Sequence, residues 1–178
     1  MSTVLESVLT PSFLYSVIRV ATPLLLASLG AVITSNAGIT NIGIEGVMLI
    51  SALAGVFASA FGFGPWFGLL IAIITGVICS LAIGYVSMSL KANSVLTCIA
   101  FNTMAIGGTV YFMYAVVKDK GTTLALDSGK LPNIRIPLIE DIPVLGDIIS
   151  NHNVISYVAI LMIFVVYILL YKTPLGLR

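Results

Sequence analysis

The segment Asn36-Ala-Gly-Ile-Thr-Asn-Ile-Gly-Ile-Glu-Gly-Val-Met48 decides the fold, because it separates two strongly apolar runs with asparagines, glycines and a carboxylate. We call residues 36–48 the polar segment. Asn41 is predicted to be the N-cap of a helix that begins near Ile42, which places Glu45 in the first turn, where the helix dipole favours negative charge. Glycines permit the backbone to turn or unwind before that helix. The three glycines of this break are Gly38, Gly43 and Gly46.

The carboxylate of Glu45 is the candidate functional group of the segment. An apolar run from Val47 to Phe61 follows it directly, so the carboxylate is predicted to lie at or below a membrane surface. A charge at such a depth costs about 2.5–3.5 kcal/mol on insertion scales, and a residue kept there is a functional-site hypothesis by default. The alternative is that Glu45 only caps neighbouring backbone amides.

The composition places the chain in a lipid bilayer. Of its 178 residues, 59% are hydrophobic and 8% charged, and the mean hydropathy is +1.15, so there are too few charges to solvate a globule of this size. The net charge of +1 without a basic run gives no reason to expect a nucleic-acid partner. Cys79 and Cys98 fall in separate apolar runs, which predicts buried thiols rather than a disulfide or a metal site, and no cofactor is expected.

The apolar runs predict an all-α membrane protein with about five transmembrane helices, in a single domain over residues 1–178. Each run is long enough, because about 20 residues at about 1.5 Å each cross the hydrocarbon core. The first run lacks the basic start and cleavage site of a secretory signal, so we expect it to be retained. The predicted spans are 13–33, 44–61, 66–90, 94–117 and 154–171.

Two further features lie between the spans. The helix breakers Gly62-Phe-Gly-Pro65 predict the turn after the second span. Residues 118–153 form the one sizeable extramembrane loop. Its His152 has no second metal ligand nearby in the sequence and is predicted to be a surface histidine.

Small residues recur every four positions in the second and third spans. This spacing lets helix backbones approach closely in a membrane, so we interpret both stripes as helix packing rather than as the lining of a pore. The stripes are Ser51, Gly55 and Ser59 in the second span, and Gly68, Ala72, Gly76, Ser80 and Gly84 in the third.

The fourth span carries a polar face. On a helix, Cys98, Asn102, Ala105 and Thr109 fall on one side, which is predicted to look away from lipid. An interhelical hydrogen bond from Asn102 is the favoured interpretation, and direct contact with a solute is the alternative.

Four motifs resemble those of the permease subunits of ABC importers, in the subfamily that handles sugars and nucleosides and is related to permeases for ribose and branched-chain amino acids. They occur in register along nearly the whole chain. One departure is Ser35-Asn36, where the family has a Glu-Arg pair. The motifs are Ala37-Gly-Ile-Thr-Asn-Ile-Gly-Ile-Glu-Gly-Val-Met-Leu49, Ala21-Thr-Pro-Leu-Leu-Leu-Ala27, Asn93 with Ala100-Phe-Asn102, and Lys172-Thr-Pro-Leu-Gly-Leu-Arg178.

The resemblance implies a transport function without covalent chemistry. We expect a permease subunit for a small polar solute, a nucleoside or a sugar, in a bacterial plasma membrane. Asn41 and Glu45 are assigned to the translocation path or its gate, and Asn102 to a polar contact within the helix bundle. The chain has no Gly-x-x-x-x-Gly-Lys-Ser/Thr phosphate loop, so the energy is expected from a separate ATPase subunit.

The resemblance also implies partners and an orientation. The partners are the ATP-binding subunit, a second permease subunit and an extracellular solute-binding protein that docks on residues 118–153. The closing motif leads in the family to the cytoplasmic loop that meets the ATPase, which puts the N-terminus and residues 118–153 outside and the polar segment near the cytoplasm. The family's permeases are longer, so we expect this chain to be an N-terminal part of one.

Two other functions are compatible with the sequence. One is a passive channel or a structural membrane subunit. The other is a membrane-embedded enzyme that uses Glu45 as an acid or base, with His152 as a second group. The enzyme interpretation is disfavoured because the sequence offers no paired carboxylates and no nucleophile with a base beside it.

Overall fold

The computed structural model describes residues 11–118, 129, 131–134 and 152–173. Within them, five helices are long and apolar enough to cross a membrane, by length and composition. The predicted all-α membrane fold is confirmed. The helices are α1 (Pro11–Asn36), α2 (Ile44–Ala58), α3 (Gly64–Met88), α4 (Ser94–Val117) and α5 (Val154–Lys172), with a π-helical turn at Ser59–Phe63 and two short strands, β1 (Asn133–Ile134) and β2 (His152–Asn153).

All ten ends of the five helices lie within three residues of the predicted spans. The turn after α2 follows from backbone that only glycine adopts readily, since Gly62 and Gly64 have φ of +89° and +81°. Helix α3 begins at Gly64, so Pro65 occupies its first turn, where the missing N–H is harmless. Helix α2 begins at Ile44, where the predicted span 44–61 begins and two residues after the start near Ile42 that a cap at Asn41 would give.

The chain divides into two compact units, residues 1–36 with 131–178 and residues 37–130. The first contains α1, α5 and the two strands, and the second contains α2, α3 and α4. The extent of the single domain stays a prediction. Most of the predicted loop 118–153 lies outside the described residues.

In the first unit, α1 packs against α5 through polar contacts near the start of α5. A buried hydrogen bond of 3.1 Å joins Thr22 Oγ1 and Ser156 Oγ. About two turns earlier on α1, the ring of Tyr15 stacks on His152, with ring centroids 4.2 Å apart and planes 10° apart. The earlier residue of α1, Tyr15, contacts His152, and the later one, Thr22, contacts Ser156, so α1 and α5 run parallel.

The position of His152 corrects the prediction of a surface histidine. His152 is 3% exposed. It lies in β2, which pairs antiparallel with β1 so that His152 is opposite Ile134. The aromatic stack with Tyr15 and this strand pairing remove the ring from solvent, and neither was visible in the local sequence.

In the second unit, α2 and α3 form a hairpin whose small-residue stripes face each other. A Cβ built on Gly68 would lie 2.7 Å from the backbone oxygen of Gly55, and one built on Gly55 would lie 3.0 Å from Ala72 Cβ. Farther along, Gly76 faces Ser51. The packing interpretation is therefore confirmed for this half of the stripes. It does not extend to Gly84, where no atom lies within 4 Å of the built Cβ.

We predict that Gly68→Ala destabilises the hairpin, whereas Gly84→Ala does not. Both changes give α3 the same gain in helix propensity, about 1 kcal/mol. Only the methyl group at position 68 meets backbone, at 2.7 Å, so α2 and α3 must move apart. Thermal unfolding of the purified protein in detergent measures the difference. Equal midpoints for the two variants would contradict the close packing.

Candidate functional site

Helix α4 holds the polar segment through three side chains on one face. The helix is capped by Asn93, whose Oδ1 accepts from the backbone N–H of Val95 at 3.0 Å. From there, three side chains spaced four residues apart contact three successive residues of the segment. Ser94 Oγ donates to Thr40 O at 3.3 Å, Cys98 Sγ lies 3.7 Å from Asn41 Oδ1, and Asn102 Nδ2 donates to Ile42 O at 3.0 Å.

Asn102 makes a second hydrogen bond that caps α2. Its Oδ1 accepts from the backbone N–H of Gly46 at 2.9 Å, across 56 residues of sequence. Gly46 is the third residue of α2, and its N–H is the group that the N-cap side chain of an ordinary helix satisfies. The N-cap residue here is Gly43, which has no side chain to serve. The interhelical hydrogen bond predicted for Asn102 is thus present, and it replaces the missing cap.

The prediction that Asn41 is the N-cap is wrong. Its Oδ1 accepts from the N–H of Gly43 at 3.0 Å, which closes a local turn before the helix begins. The same oxygen lies beside the thiol of Cys98, which is completely buried as predicted. Asn41 therefore shapes the approach to α2 but does not cap it.

The three glycines predicted for the break have different roles. Only Gly38 needs the conformational freedom of glycine, because its φ is +78°. Gly43 has an ordinary φ of −77°, and Gly46 lies inside α2, so it is not part of the break. These two glycines permit close approach instead: a Cβ would lie 3.1 Å from Ile83 Cδ1 at position 43 and 2.7 Å from Asn102 Oδ1 at position 46.

The start of α2 lies inside the ends of both neighbouring helices. The built Cβ of Gly43 meets Cys98 and Ile83, and that of Gly46 meets Asn102. Measured along α4 at about 1.5 Å per residue, Cys98 and Asn102 lie about 6 and about 12 Å after its first residue. Ile83 lies about 7 Å before the last residue of α3 by the same measure. The irregular backbone before α2 therefore lies within the length that α3 and α4 span.

Glu45 lies in the first turn of α2, as predicted. Its side chain is exposed, and among the described residues none forms a hydrogen bond or an ion pair with its carboxylate. The alternative was that Glu45 caps neighbouring backbone amides. No described amide donates to its carboxylate, and the amide of Gly46 donates to Asn102 Oδ1 instead. Glu45 shares its helix face with Met48 and Leu49, which are 36% and 38% exposed. The site is thus a carboxylate that has no partner among the described residues, on an otherwise apolar face of α2.

Sequence reasoning found Asn102 but missed Ser94. The spacing of four residues from Ser94 through Cys98 to Asn102 was available as a signal. Ser94 was missed because the polar face of the fourth span was predicted to continue from Asn102 toward Thr109. The Thr109 hydroxyl donates to Ile106 O of its own helix, at 3.1 Å.

The family of the chain follows from comparison with known proteins. Residues 13–178 match the family described as "Branched-chain amino acid transport system / permease component". The chain belongs to this family. As a member with five apolar, membrane-length helices among its described residues, it is a multi-pass protein of the cell membrane.

Individual relatives in this family carry nucleoside and sugar names, which confirms the resemblance drawn from the motifs. The guanosine ABC transporter permease protein NupQ of Bacillus subtilis is 36% identical over 170 residues, 89% of this chain and 51% of NupQ. The putative glucose ABC transporter permease protein TsgC13 of Haloferax volcanii is 30% identical over 169 residues, 93% of this chain and 49% of TsgC13. The nucleoside ABC transporter permease protein NupC of Lactococcus lactis subsp. cremoris is 28% identical over 165 residues, 89% of this chain and 51% of NupC.

The chain spans about half the length of the curated relatives it matches. No solved structure matches it.

Proposed function

We propose that this chain forms part of the transmembrane permease subunit of an ABC importer that moves a small polar solute, a nucleoside or a sugar. The family and the names of the relatives support the class of transporter and of solute. The observation that carries the proposal for the site is the carboxylate of Glu45, which has no partner among the described residues and lies beside irregular backbone within the length of the neighbouring helices.

Irregular backbone at membrane depth is tolerated only where it is buried in protein or lines a water-filled cavity. Helix α4 covers one side of the polar segment through its bonds to Thr40 and Ile42. The side chains of Thr40, Ile42 and Glu45 are exposed on this unit. We therefore assign the exposed side of the segment to the wall of the solute path.

Glu45 suits a neutral polyhydroxyl solute. A carboxylate only accepts hydrogen bonds when ionised, and the hydroxyl groups of sugars and nucleosides donate them. Its negative charge also repels phosphorylated analogues of these solutes. In this proposal Glu45 contacts the solute or gates its passage, Asn41 belongs to the wall of the path, and Asn102 makes a polar contact within the helix bundle.

The energy for transport comes from partner chains in this proposal. A separate ATPase subunit binds and hydrolyses ATP, a second permease subunit completes the path, and a solute-binding protein delivers the solute from outside. ATP binding and hydrolysis shift the permease between outward-open and inward-open packings. Each packing exposes the path to one side of the membrane.

The proposed orientation puts the polar segment near the cytoplasm. The turn between α2 and α3 is then on the outer side. The backbone N–H of Gly129 donates to Ser59 Oγ in that turn, at 3.1 Å, which supports placing the start of the loop 118–153 on the same side. That loop is the proposed docking surface for the solute-binding protein.

Replacing Glu45 tests the proposed site. In cells that express the complete transporter, Glu45→Gln is expected to lower uptake of labelled solute at least about tenfold, because a charge-assisted hydrogen bond of about 1.5–3 kcal/mol is lost. The thermal midpoint of the purified variant is expected to stay unchanged, since no described residue bonds the carboxylate. Wild-type uptake with a lowered midpoint would remove Glu45 from the path and leave it a structural role.

Cysteine labelling tests the proposed orientation. Ser128 lies outside the described residues but within the loop sequence, and Ala92 is exposed at the corner between α3 and α4. In a background with Cys79→Ala and Cys98→Ala, Ser128→Cys is expected to react with a membrane-impermeant maleimide in intact cells. The matched variant Ala92→Cys is expected to react only after lysis. The reverse pattern would invert the topology.

A further inference from the structure

We propose that Asn102 is a positioning residue for Glu45: it acts on transport through the first turn of α2 and does not contact the solute. This inference rests on the proposed function, in which Glu45 lines the path. It differs from that proposal by giving Asn102 a role that depends on another residue.

Both polar groups of the Asn102 amide are already engaged by backbone. Its nitrogen donates to Ile42 O at 3.0 Å, and its oxygen accepts from Gly46 N–H at 2.9 Å. Each bond satisfies a backbone group that the break in the helix leaves without a partner. The amide thus uses one of its two N–H donors and one of its two acceptor positions on the backbone of the polar segment and α2.

The two bonds lie on either side of Glu45 in the chain. Ile42 precedes it by three residues, and Gly46 follows it directly. The backbone that carries the carboxylate is therefore attached to α4 at both ends by a single side chain. The carboxylate itself has no bond to a described residue that would fix it otherwise.

Close packing makes the attachment stiff. A Cβ on Gly46 would lie 3.1 Å from Ala105 Cβ and 2.7 Å from Asn102 Oδ1, so α2 touches α4 with no room for a side chain at this point. Ala105 is 1% exposed. When α4 moves, the first turn of α2 moves with it, and the position of Glu45 follows.

Helix α4 offers a matched control in Thr103. It is the next residue, it is exposed, and its hydroxyl donates to Ile99 O of its own helix at 2.9 Å. Thr103→Val removes a polar group at the same depth without touching the polar segment. It is expected to leave uptake unchanged.

A double-mutant cycle in the complete transporter tests the positioning role. Uptake per folded transporter is measured for wild type, Asn102→Ala, Glu45→Gln, the double variant and Thr103→Val. Because Asn102 acts through Glu45, Asn102→Ala is expected to lower uptake at least about tenfold, and the double variant is expected to be no worse than Glu45→Gln alone. A second variant, Gly46→Ala, displaces the Asn102 amide without removing it and is expected to show the same dependence on Glu45.

Three outcomes would overturn the inference. Wild-type uptake by Asn102→Ala is one. Multiplicative losses are another, for example about 100-fold in the double variant when each single loss is about tenfold, because independent effects add in free energy. Neither of these two outcomes contradicts the proposed function if uptake by Glu45→Gln is still low. Wild-type uptake by Glu45→Gln is the third, and it overturns the proposed role of Glu45 together with the positioning role.

Discussion

The hydrogen bonds of the Asn102 amide are the interaction on which the site depends. Within a membrane every backbone polar group needs a partner, because water is absent from the hydrocarbon core. The chain leaves helical geometry between α1 and α2, so the start of α2 presents groups without helical partners. One amide from α4 satisfies two of them, the carbonyl of Ile42 and the N–H of Gly46.

This attachment explains why glycine stands where side chains would otherwise be expected. At position 46 a Cβ would meet the Asn102 oxygen, and at position 43 it would meet Ile83 and Cys98. The same device, glycine for close approach, joins α2 to α3 at Gly55 and Gly68. Helix α2 is therefore packed on two sides by backbone contact. The remaining face of α2 carries Glu45, so a group that binds this carboxylate must approach from that face.

The sequence was sufficient for the five helices, because their lengths and apolar composition leave no other state in a bilayer. The spacing of small and polar residues predicted the facing stripes of α2 and α3 and the interhelical bond of Asn102. It did not predict the cap of α2. Local capping preferences chose Asn41, whereas the oxygen that accepts from Gly46 N–H belongs to Asn102, 56 positions further along the chain. The sequence prediction also misplaced His152, which is buried by its stack on Tyr15 and by the pairing of β1 with β2, contacts that have no local signature.

The central claim, that Asn102 satisfies both sides of the break, is tested most directly by hydrogen–deuterium exchange of peptides covering residues 42–48. Interhelical hydrogen bonds in membranes are worth about 0.6–1.7 kcal/mol, so Asn102→Ala is expected to speed exchange at the Gly46 amide about 3- to 20-fold, with Thr103→Val at the wild-type rate. Exchange in Asn102→Ala that equals the wild-type rate would contradict the account.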